Sequence, residues 1–361
     1  MKNNNSSKKV LINGYFLCRK LTGIERYACE ITKRLDYFIQ PGEISIIIPS
    51  DFNKIPVYKN ITIIRYYKKI PHILWQMFTL QFFLITHRQY VILDFGNTCL
   101  PFSPGIIFLH DIYCEIFPDD FTGFKEKIIC LYNRWQYRLI AKKAKKIVTV
   151  SESSKNEICH KLNIPYNNVN VISSAADHVF SVNSDTTVFN NFPILKEKPY
   201  FFSLGSLSKR KNINWIIKYA KKNPASLFAI SGTELPIVKI KGLDNSLPCN
   251  IIMLGYIDDS KVKALIQKCK AFIMPSYYEG FGLPPLEALS YGAKIVVSNI
   301  ESLKEIYGNT AYYLDPYNTD IDLEKILQEP IDKSDFLFKK YTFDKSARLV
   351  YDIIKSTIPS L

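Results

Sequence analysis

Short apolar runs alternate with longer amphipathic stretches over most of the chain. In the first half the apolar runs lie at 9–16, 44–48, 61–64, 91–93, 106–109 and 147–150. The second half begins the alternation again, with runs at 200–204, 227–230, 251–254, 272–274, 295–297 and 311–314. Continuous apolar runs of this length are typical of strands buried on both faces of a parallel sheet. The pattern predicts two doubly wound α/β domains, with 147–150 as the last strand of the first sheet.

A polar segment marks the boundary between the two domains. Residues 181–191 are rich in Ser, Thr, Asn and Asp, a composition that is typical of linkers. We therefore predict an N-terminal domain at 1–180, a linker at 181–197 and a C-terminal domain at 198–343. Beyond these, apolar residues at helical spacing predict a final helix over 344–358.

One stretch of the second half combines two strands, a glycine loop and a helix. The runs 271–274 and 294–297 predict buried parallel strands. Pro284 and Pro285 suit the first turn of a helix between them, and Gly292 suits its C-terminal cap. The stretch therefore predicts a compact βαβ unit.

Chemistry-bearing residues gather in the loop of this unit. Gly280 and Gly282 are predicted to leave backbone N–H groups uncovered beside the helix start, where a diphosphate can bind. A carboxylate accepts two hydrogen bonds at once, so Glu287 suits a ribose diol and Glu279 a hydroxyl of a second sugar. Alternatively, Glu287 only complements the helix dipole and the two glycines only shape a turn.

The nine residues at 279–287, EGFGLPPLE, resemble the signature of the retaining, nucleotide-sugar-dependent glycosyltransferases of family four. The shared features are two glutamates separated by seven residues and Gly-Phe-Gly after the first. The resemblance implies two Rossmann-like domains facing a cleft, the GT-B fold, with the final segment 344–361 packed back on the N-terminal domain. It implies a catalytic role for Glu279. It also implies substrate-binding roles for Gly280, Phe281, Gly282, Leu283 and Glu287.

Two residues of the first half match the same family. Gly23 follows the first strand, where the family has a glycine-containing loop near donor phosphate and acceptor. His110 follows the run 106–109, where a family histidine contacts the transferred sugar, and we assign it a catalytic role. From the residues alone, a Thr-Gly turn that caps a helix explains Gly23 equally well. A structural hydrogen bond at a strand end likewise explains His110.

Basic residues follow the first strand of the second half. Arg210 and Lys211 are adjacent cations at a predicted strand end and can neutralise a diphosphate. The resemblance implies that Lys211 binds donor phosphate. Ser206 stands where the family often has an arginine, so we expect Arg210 to supply that second charge. A surface run of lysines is the alternative.

The charge of the chain agrees with phosphate-bearing partners. Its 361 residues include 47 basic and 33 acidic ones, a net charge of +14. Such an excess favours nucleotides or an anionic membrane surface. No zinc-finger spacing or RNA-binding motif is found in the sequence, so we expect no nucleic-acid partner.

Two segments combine cations with aromatic and apolar residues. The basic sequence RYYKK at 65–69 leads into the apolar run 73–83, and RWQYR at 134–138 leads into four lysines between 142 and 146. Interfacial helices use such compositions to bind anionic lipid. A core helix with a solvated face is the alternative for each segment.

The remaining expectations concern cofactors, localisation and the type of reaction. Eight scattered cysteines without a C-x-x-C pair indicate reduced thiols, and the polar N-terminus does not resemble a signal peptide, so we expect a cytoplasmic protein, peripheral on the inner face of the membrane. The D-x-D sequence at 320–322 lies in a polar stretch that predicts a helix start, so no metal site is expected. We expect no cofactor beyond the nucleoside-diphosphate sugar that serves as donor substrate.

The family implies transfer of a hexosyl unit, with retained anomeric configuration, to a glycan or lipid-linked oligosaccharide in surface polysaccharide synthesis. Two other functions remain open from the residues. One is a glycoside hydrolase that uses Glu279 and Glu287 as acid and nucleophile. The other is a nucleotide-sugar-binding module without catalysis, which the serine at position 206 would explain.

Overall fold

A computed structural model describes residues 8–205, 208–232 and 247–359. The chain divides into two compact units, one formed by Met1–Ser174 with Thr342–Leu361 and the other by Ala175–Tyr341. Each unit contains one parallel β-sheet with helices between its strands.

The strands of the first unit are β1 (Lys9–Asn13), β2 (Ile44–Ile48), β3 (Thr62–Arg65), β4 (Tyr90–Asp94), β5 (Ile106–Phe108), β6 (Lys146–Thr149) and β7 (Val169–Val171). Those of the second are β8 (Tyr200–Leu204), β9 (Leu227–Ser231), β10 (Ile251–Gly255), β11 (Ala271–Met274), β12 (Ile295–Ser298) and β13 (Tyr312–Leu314). The first six α-helices are α1 (Gly23–Phe38), α2 (His72–Leu74), α3 (Gln81–Thr86), α4 (Tyr113–Ile116), α5 (Phe124–Lys143) and α6 (Glu152–Leu162). They are followed by α7 (Val188–Asn191), α8 (Ile194–Glu197), α9 (Ile213–Lys222), α10 (Asp259–Lys268), α11 (Leu283–Ser290), α12 (Glu301–Tyr307), α13 (Leu323–Ile326), α14 (Asp335–Lys340) and α15 (Phe343–Thr357).

The first sheet has the strand order β3-β2-β1-β4-β5-β6-β7 and is parallel throughout. It extends one strand beyond the run 147–150, the predicted last strand of this sheet. Val169 pairs with Ile147 and adds β7 at the edge. The sequence pattern missed this strand because it has three residues with the polar Asn170 at its centre.

The second sheet has the order β10-β9-β8-β11-β12-β13, also parallel. The strand order reverses direction between β8 and β11 in this sheet, and between β1 and β4 in the first. Ligands of doubly wound sheets bind at the carboxyl ends of the strands at such points. The loops after β8 and β11 are therefore the first place to look for a binding site in the second unit.

The segment 181–197, assigned to a linker from its polar composition, lies within the second unit. It forms α7 and α8 and buries Val188, Phe189 and Leu195. These apolar side chains attach the segment to the second unit. The first unit ends at Ser174, and the predicted boundary at residue 180 is therefore wrong.

The last helix, α15, packs against α1 in the first unit. Its buried side includes Phe343 and Val350, at helical spacing. At its start, Arg34 Nε lies 3.0 Å from Asp344 Oδ1. Near its end, Lys355 Nζ lies 2.9 Å from Glu43 Oε1. Apolar packing and two ion pairs therefore attach the end of the described chain to its first domain.

Residues 72–86 form one continuous helix, here called the composite helix, in which a π-helical turn at Trp75–Leu80 joins α2 to α3. Within the described residues, every helix is too short or too polar to cross a membrane. Each of the eight cysteines carries a free thiol.

The glycines that flank α11 differ in their surroundings. Both have backbone angles of the left-handed region, with φ of +78° at Gly282 and +85° at Gly292. A Cβ added at Gly282 would lie 2.4 Å from Leu303 Cδ2, whereas one added at Gly292 would meet nothing within 4 Å. Conformation favours glycine at both positions, and at Gly282 an added Cβ would also displace the buried side chain of Leu303.

We expect Gly282→Ala to lower the free energy of unfolding by about 2–5 kcal/mol, since backbone strain and a steric clash act together. Gly292→Ala is the matched control, with an expected loss of about 1–2 kcal/mol from strain alone. Urea unfolding of both variants measures the difference. Equal losses would show that Leu303 does not restrict position 282.

Candidate functional site

Glu279 lies in the loop between β11 and α11 and is 7% exposed. Its carboxylate accepts a hydrogen bond from Lys211 Nζ, at 2.6 Å from Oε1. Arg210 Nη1 lies 3.9 Å from the other carboxylate oxygen, Oε2. The structure therefore brings together three of the predicted site residues, two cations and one buried carboxylate.

Backbone contacts fix the two loops that carry these residues. Lys209–Lys211 forms a 3-10 turn after β8, and Asn212 ends it in the left-handed conformation with φ of +54°. The Asn212 Nδ2 group donates to the carbonyls of Pro275, at 2.9 Å, and Pro316, at 2.7 Å. The Tyr277 N–H donates to the Arg210 carbonyl at 3.1 Å. These contacts hold the cations in register with the glutamate loop.

The charges of this cluster determine the state of Glu279. Burial alone would raise the pKa of the carboxyl group, but the positive charges of Lys211 and Arg210 hold that pKa below its ordinary value. Glu279 is therefore a carboxylate at neutral pH. Two cations and one anion leave a net positive charge at the carboxyl ends of β8 and β11, which suits an anionic ligand.

Glu287 lies in the second turn of α11 and contacts a histidine that the sequence analysis did not single out. His178 Nε2 donates to Glu287 Oε1 at 3.1 Å. Both side chains are mostly buried, with 6% exposure for His178 and 13% for Glu287. The histidine comes from the 3-10 turn Asp177–Ser181, which packs against α11 within the second unit. No sequence motif marks it, because 109 residues separate the partners.

The glycine turn differs in one respect from its prediction. Gly280 and Gly282 were expected to leave their amides uncovered, yet both residues are buried. Phe281 packs edge-on against Tyr341, with ring centroids 5.4 Å apart, and Leu283 is buried beside it. The Tyr307 hydroxyl donates to the Gly282 carbonyl. These aromatic neighbours close around the turn, so its packing contributes to the shape of the site; contact with a ligand stays a prediction.

The second unit contains further residues that were considered as site or metal-binding candidates. Ser206 lies outside the described residues. Asp322 caps α13 by accepting from two backbone N–H groups, as expected of a helix start, and Asp320 pairs with Lys222. Two open depressions of about 560 and 480 Å³ are lined by other parts of the second unit and by none of the predicted site residues. Among the described residues, His, Cys, Asp and Glu side chains form no group of three or more that could hold a metal ion.

His110 lies at the end of β5 in the first unit and is 7% exposed. Its Nε2 lies 2.9 Å from the Phe95 carbonyl, which only accepts, so Nε2 carries a proton. Burial lowers the pKa of the imidazole. The neutral ring therefore has Nδ1 as its acceptor. The His110 ring lies nearly perpendicular to the Tyr27 ring, with their centroids 5.4 Å apart. A neutral histidine in this tautomer accepts a hydrogen bond from a hydroxyl instead of donating one.

Gly23 is the first residue of α1 and is exposed. Its φ is not in the left-handed region, and an added Cβ would meet nothing within 4 Å. The Thr22 side chain makes no capping bond to the helix backbone and instead donates to Glu25. Neither backbone conformation nor packing therefore explains the glycine, and its predicted role near a ligand stays open.

Comparison with known proteins identifies the C-terminal part of the chain. Residues 184–337 match the sequence model of the family described as glycosyl transferases group 1. This range is a group 1 glycosyltransferase domain. The matched range contains the predicted site residues of the second unit. It does not include Gly23, His110 or His178.

This glycosyltransferase has relatives over nearly its whole length. It is 26% identical to O-antigen chain mannosyltransferase B of Escherichia coli, over 87% of this chain and 88% of the relative. Among solved structures, sucrose-phosphate synthase of Thermosynechococcus elongatus has a TM-score of 0.73 and 14% identity, covering 98% of this chain and all of the other. Anabaena Alr3699/HepE, solved with UDP and glucose, has a TM-score of 0.67 and 15% identity, covering 97% and 100%. These similarities confirm the predicted fold class of two Rossmann-like α/β domains, the GT-B fold.

The ion pair of this glycosyltransferase can be tested by its effect on stability. We expect Lys211→Met to lower the free energy of unfolding by about 1–3 kcal/mol, because it leaves a buried carboxylate with one distant cation. The double variant Lys211→Met/Glu279→Gln should recover part of that loss. Urea unfolding of each variant at pH 7 provides the measurement.

The control is Lys222→Met, which breaks the exposed pair with Asp320 and should cost about 0–1 kcal/mol. The pKa of Glu279 is lowered on folding, so its ionisation stabilises the fold above the unfolded pKa of about 4.3. The stability difference between the wild type and Glu279→Gln should therefore shrink as the pH falls below that value. A difference that does not shrink between pH 5 and pH 3 would contradict the assignment of charge.

Proposed function

We propose that this protein transfers a mannosyl or other hexosyl unit from a nucleoside-diphosphate sugar to a hydroxyl group of a surface polysaccharide under assembly, with retention of anomeric configuration. The observation that carries the proposal is the buried Glu279 carboxylate held by Lys211 and Arg210 at the switch point of the second sheet. The name of the Escherichia coli relative, a mannosyltransferase of the O-antigen chain, supports mannose and a polysaccharide product.

The two cations suit the leaving group of this reaction. A nucleoside diphosphate gains negative charge as its bond to the sugar breaks, and fixed cations stabilise that charge most when they need not reorganise. Lys211 acts as a point charge and Arg210 as a planar fork for phosphate oxygens. They and the neighbouring helix start take the place of a metal ion in the proposal, so neither a metal nor a cofactor is required.

Glu279 is proposed to bind the transferred sugar. As a carboxylate it accepts hydrogen bonds from two sugar hydroxyls, while its ion pair with Lys211 links sugar and phosphate sites. Glu287 is proposed to bind the ribose diol, with its carboxylate oriented by the contact from His178. His110 is proposed to accept a hydrogen bond from a sugar or acceptor hydroxyl through Nδ1.

The bond changes are those of a substitution at the anomeric carbon. The bond from this carbon to the diphosphate oxygen breaks, and its electron pair stays on the diphosphate. The acceptor oxygen bonds to the same face of the sugar, and its proton passes to the departing phosphate oxygen. Exclusion of water is needed in addition, because water would otherwise compete as acceptor.

The charge state of Glu279 disfavours the hydrolase alternative. A glycosidase acid must hold its proton near neutral pH, which requires a raised pKa. The pKa of Glu279 is instead lowered by two cations. An ionised, cation-bound carboxylate does not suit proton donation to a leaving group.

The acceptor and the place of action belong to the same proposal. We infer a lipid-linked oligosaccharide or glycan acceptor and a position at the cytoplasmic face of the membrane, as a peripheral protein. The net charge of +14 and the polysaccharide chemistry named for the relative support this inference.

Glu279→Ala and Lys211→Ala should each lower kcat/KM for mannosyl transfer at least about tenfold, the effect of one lost charge-assisted contact. GDP-mannose is the first donor to assay, with UDP-glucose beside it. The matched control is Lys222→Ala, an exposed lysine of α9, which should keep wild-type kinetics. Near-normal turnover in both site variants would refute the assignment.

Binding measurements separate the enzyme from an inactive binding module. A ligand that binds only the folded state raises the melting temperature, so a panel of GDP, UDP, dTDP and ADP identifies the nucleotide. Binding of a nucleotide sugar without product from any acceptor would favour the module.

His178 provides a further test of the ribose assignment. We expect His178→Ala to raise the donor KM about three- to tenfold with a smaller change in kcat, because ribose lies away from the reacting bond and its contacts affect binding of substrate and transition state alike. His178→Gln should recover part of the affinity, since its amide also donates to Glu287. Steady-state kinetics with varied donor measure both. Loss of stability with an unchanged KM would mean that His178 serves the fold alone.

A further inference from the structure

The composite helix presents apolar side chains to solvent in the first unit. Leu74, Phe78, Phe82 and Ile85 recur at helical spacing and are exposed, Phe78 by 67% and Phe82 by 61%. The sequence from 70 to 87 contains no Asp, Glu, Lys or Arg. A core helix with a solvated face would place polar residues here. In the composite helix, the side that faces solvent instead carries apolar residues, as does the side that faces the core.

Helix α5 repeats the pattern. Phe124, Ile128, Leu131 and Trp135 follow the spacing of one helical face, and all four are exposed, Phe124 by 80% and Leu131 by 63%. The buried side of α5 is a separate set that includes Tyr137 and other residues at complementary positions. Like the composite helix, α5 is therefore apolar on two sides along part of its length.

Contacts between their elements place these side chains on one region of the first unit. Met77 Sδ of the composite helix lies 3.8 Å from Gln136 Nε2 of α5. The loop after β4 adds Phe102, which is 78% exposed and whose N–H donates to Gln81 Oε1 at 3.1 Å. We call the exposed apolar side chains of the composite helix, α5 and Phe102 the apolar face.

Positive charge surrounds the apolar face. Residues 65–88 contain four basic residues and no acidic ones, at the two ends of the composite helix. Helix α5 carries six basic residues and one acidic residue, Glu126, whose carboxylate caps the helix by accepting from the Gly123 N–H. The nearby Glu115 is bridged by Arg134 and Arg138, at 3.0 and 3.1 Å. Glu126 and Glu115 are thus engaged, and the net charge of α5 and of residues 65–88 is positive.

We propose that the apolar face inserts into the interfacial region of an anionic phospholipid bilayer. Exposed aromatic and aliphatic side chains bordered by Lys and Arg are the chemistry that binds such a surface, the former by burial among acyl chains and the latter by attraction to headgroup phosphates. A second copy of this chain fits less well, because it would bring two positively charged borders together. The proposal rests on the peripheral position inferred under the proposed function and assigns the surface responsible for it, but it does not depend on the chemistry of sugar transfer.

Sedimentation with lipid vesicles tests the proposal. The wild type should pellet with vesicles of phosphatidylglycerol and phosphatidylcholine, and much less with phosphatidylcholine alone. The triple variant Phe78→Ser/Phe82→Ser/Leu131→Ser should lower the partition coefficient on anionic vesicles at least tenfold. The matched control, Tyr37→Ser/Leu349→Ser, removes exposed side chains of α1 and α15 and should bind as the wild type.

Charge and folding are tested by two further measurements. Lys68→Glu/Lys127→Glu/Lys142→Glu should weaken binding and remove most of its dependence on salt, because these three lysines border the apolar face. All variants should keep the melting temperature of the wild type and its rate of transfer to a water-soluble acceptor. Normal transfer with lost vesicle binding supports the proposal whatever the native acceptor is.

Two results would overturn it. If the triple serine variant pellets with anionic vesicles as strongly as the wild type, the apolar face is not the binding surface. If the wild type fails to bind vesicles and sediments as a dimer that the serine variant dissociates, the face binds a second copy of the chain.

Discussion

The contact between Glu279 and Lys211 is the constraint on which the second unit's site depends. A carboxylate that is 7% exposed would be costly to ionise alone, and a lysine at 2.6 Å makes the ionised form favourable. The contact works only if the loops after β8 and β11 hold a fixed register. Asn212 secures that register through two backbone carbonyls, one of them in the glutamate loop. Fold and charge state are therefore linked in one small cluster.

The same cluster is positioned by contacts within the protein. Asn212 and the Tyr277 N–H hold the loops that carry Lys211, Arg210 and Glu279, so the proposed diphosphate would meet cations that are already oriented. Glu279 offsets the repulsion between these two cations, because its carboxylate lies close to both. Such preorganisation is a main source of electrostatic catalysis. A carboxylate in this position thus serves the resting state of the site as well as its proposed contact with sugar.

Sequence pattern predicted most of this architecture because most strands are buried on both faces; the edge strand β3 is largely exposed and was predicted from its apolar composition alone. Twelve of the thirteen strands in the described residues coincide with continuous apolar runs, and the thirteenth, β7, has a polar centre and lies at a sheet edge. The predicted linker failed for a related reason: its polar composition concealed Val188 and Phe189, which attach it to the second unit. A polar composition indicates only that most side chains of a segment are exposed. Two buried apolar side chains are enough to attach such a segment to a domain.

For the site, local sequence predicted residues of the two loops after β8 and β11, but it did not indicate the partner of Glu287. Glu279, Glu287, Arg210 and Lys211 follow from motif and strand position, but the partner of Glu287 does not. His178 is 109 residues away and lies in an unremarkable turn. Burial of Gly280 and Gly282 was also missed, because the enclosing Tyr307 and Tyr341 come from other elements.

The composite helix shows how one element can serve an interior and a surface at once. Its π-turn places Gln76 inward, where Nε2 donates to Asp94 Oδ2 at 2.8 Å. Burial raises the pKa of Asp94, although Asn13 and the Gly96 N–H also donate to its carboxylate.

The loop after Asp94 carries the two groups that hold His110, the Phe95 carbonyl and the Asn97 side chain. The composite helix, which contains no Asp, Glu, Lys or Arg, is thus attached through Gln76 at the switch point of the first sheet. This point lies next to His110, which is a predicted catalytic residue. The buried hydrogen bond between Gln76 and Asp94 fixes the orientation of the composite helix. The outward side chains of this helix take no part in that contact and can therefore serve an interaction outside the protein.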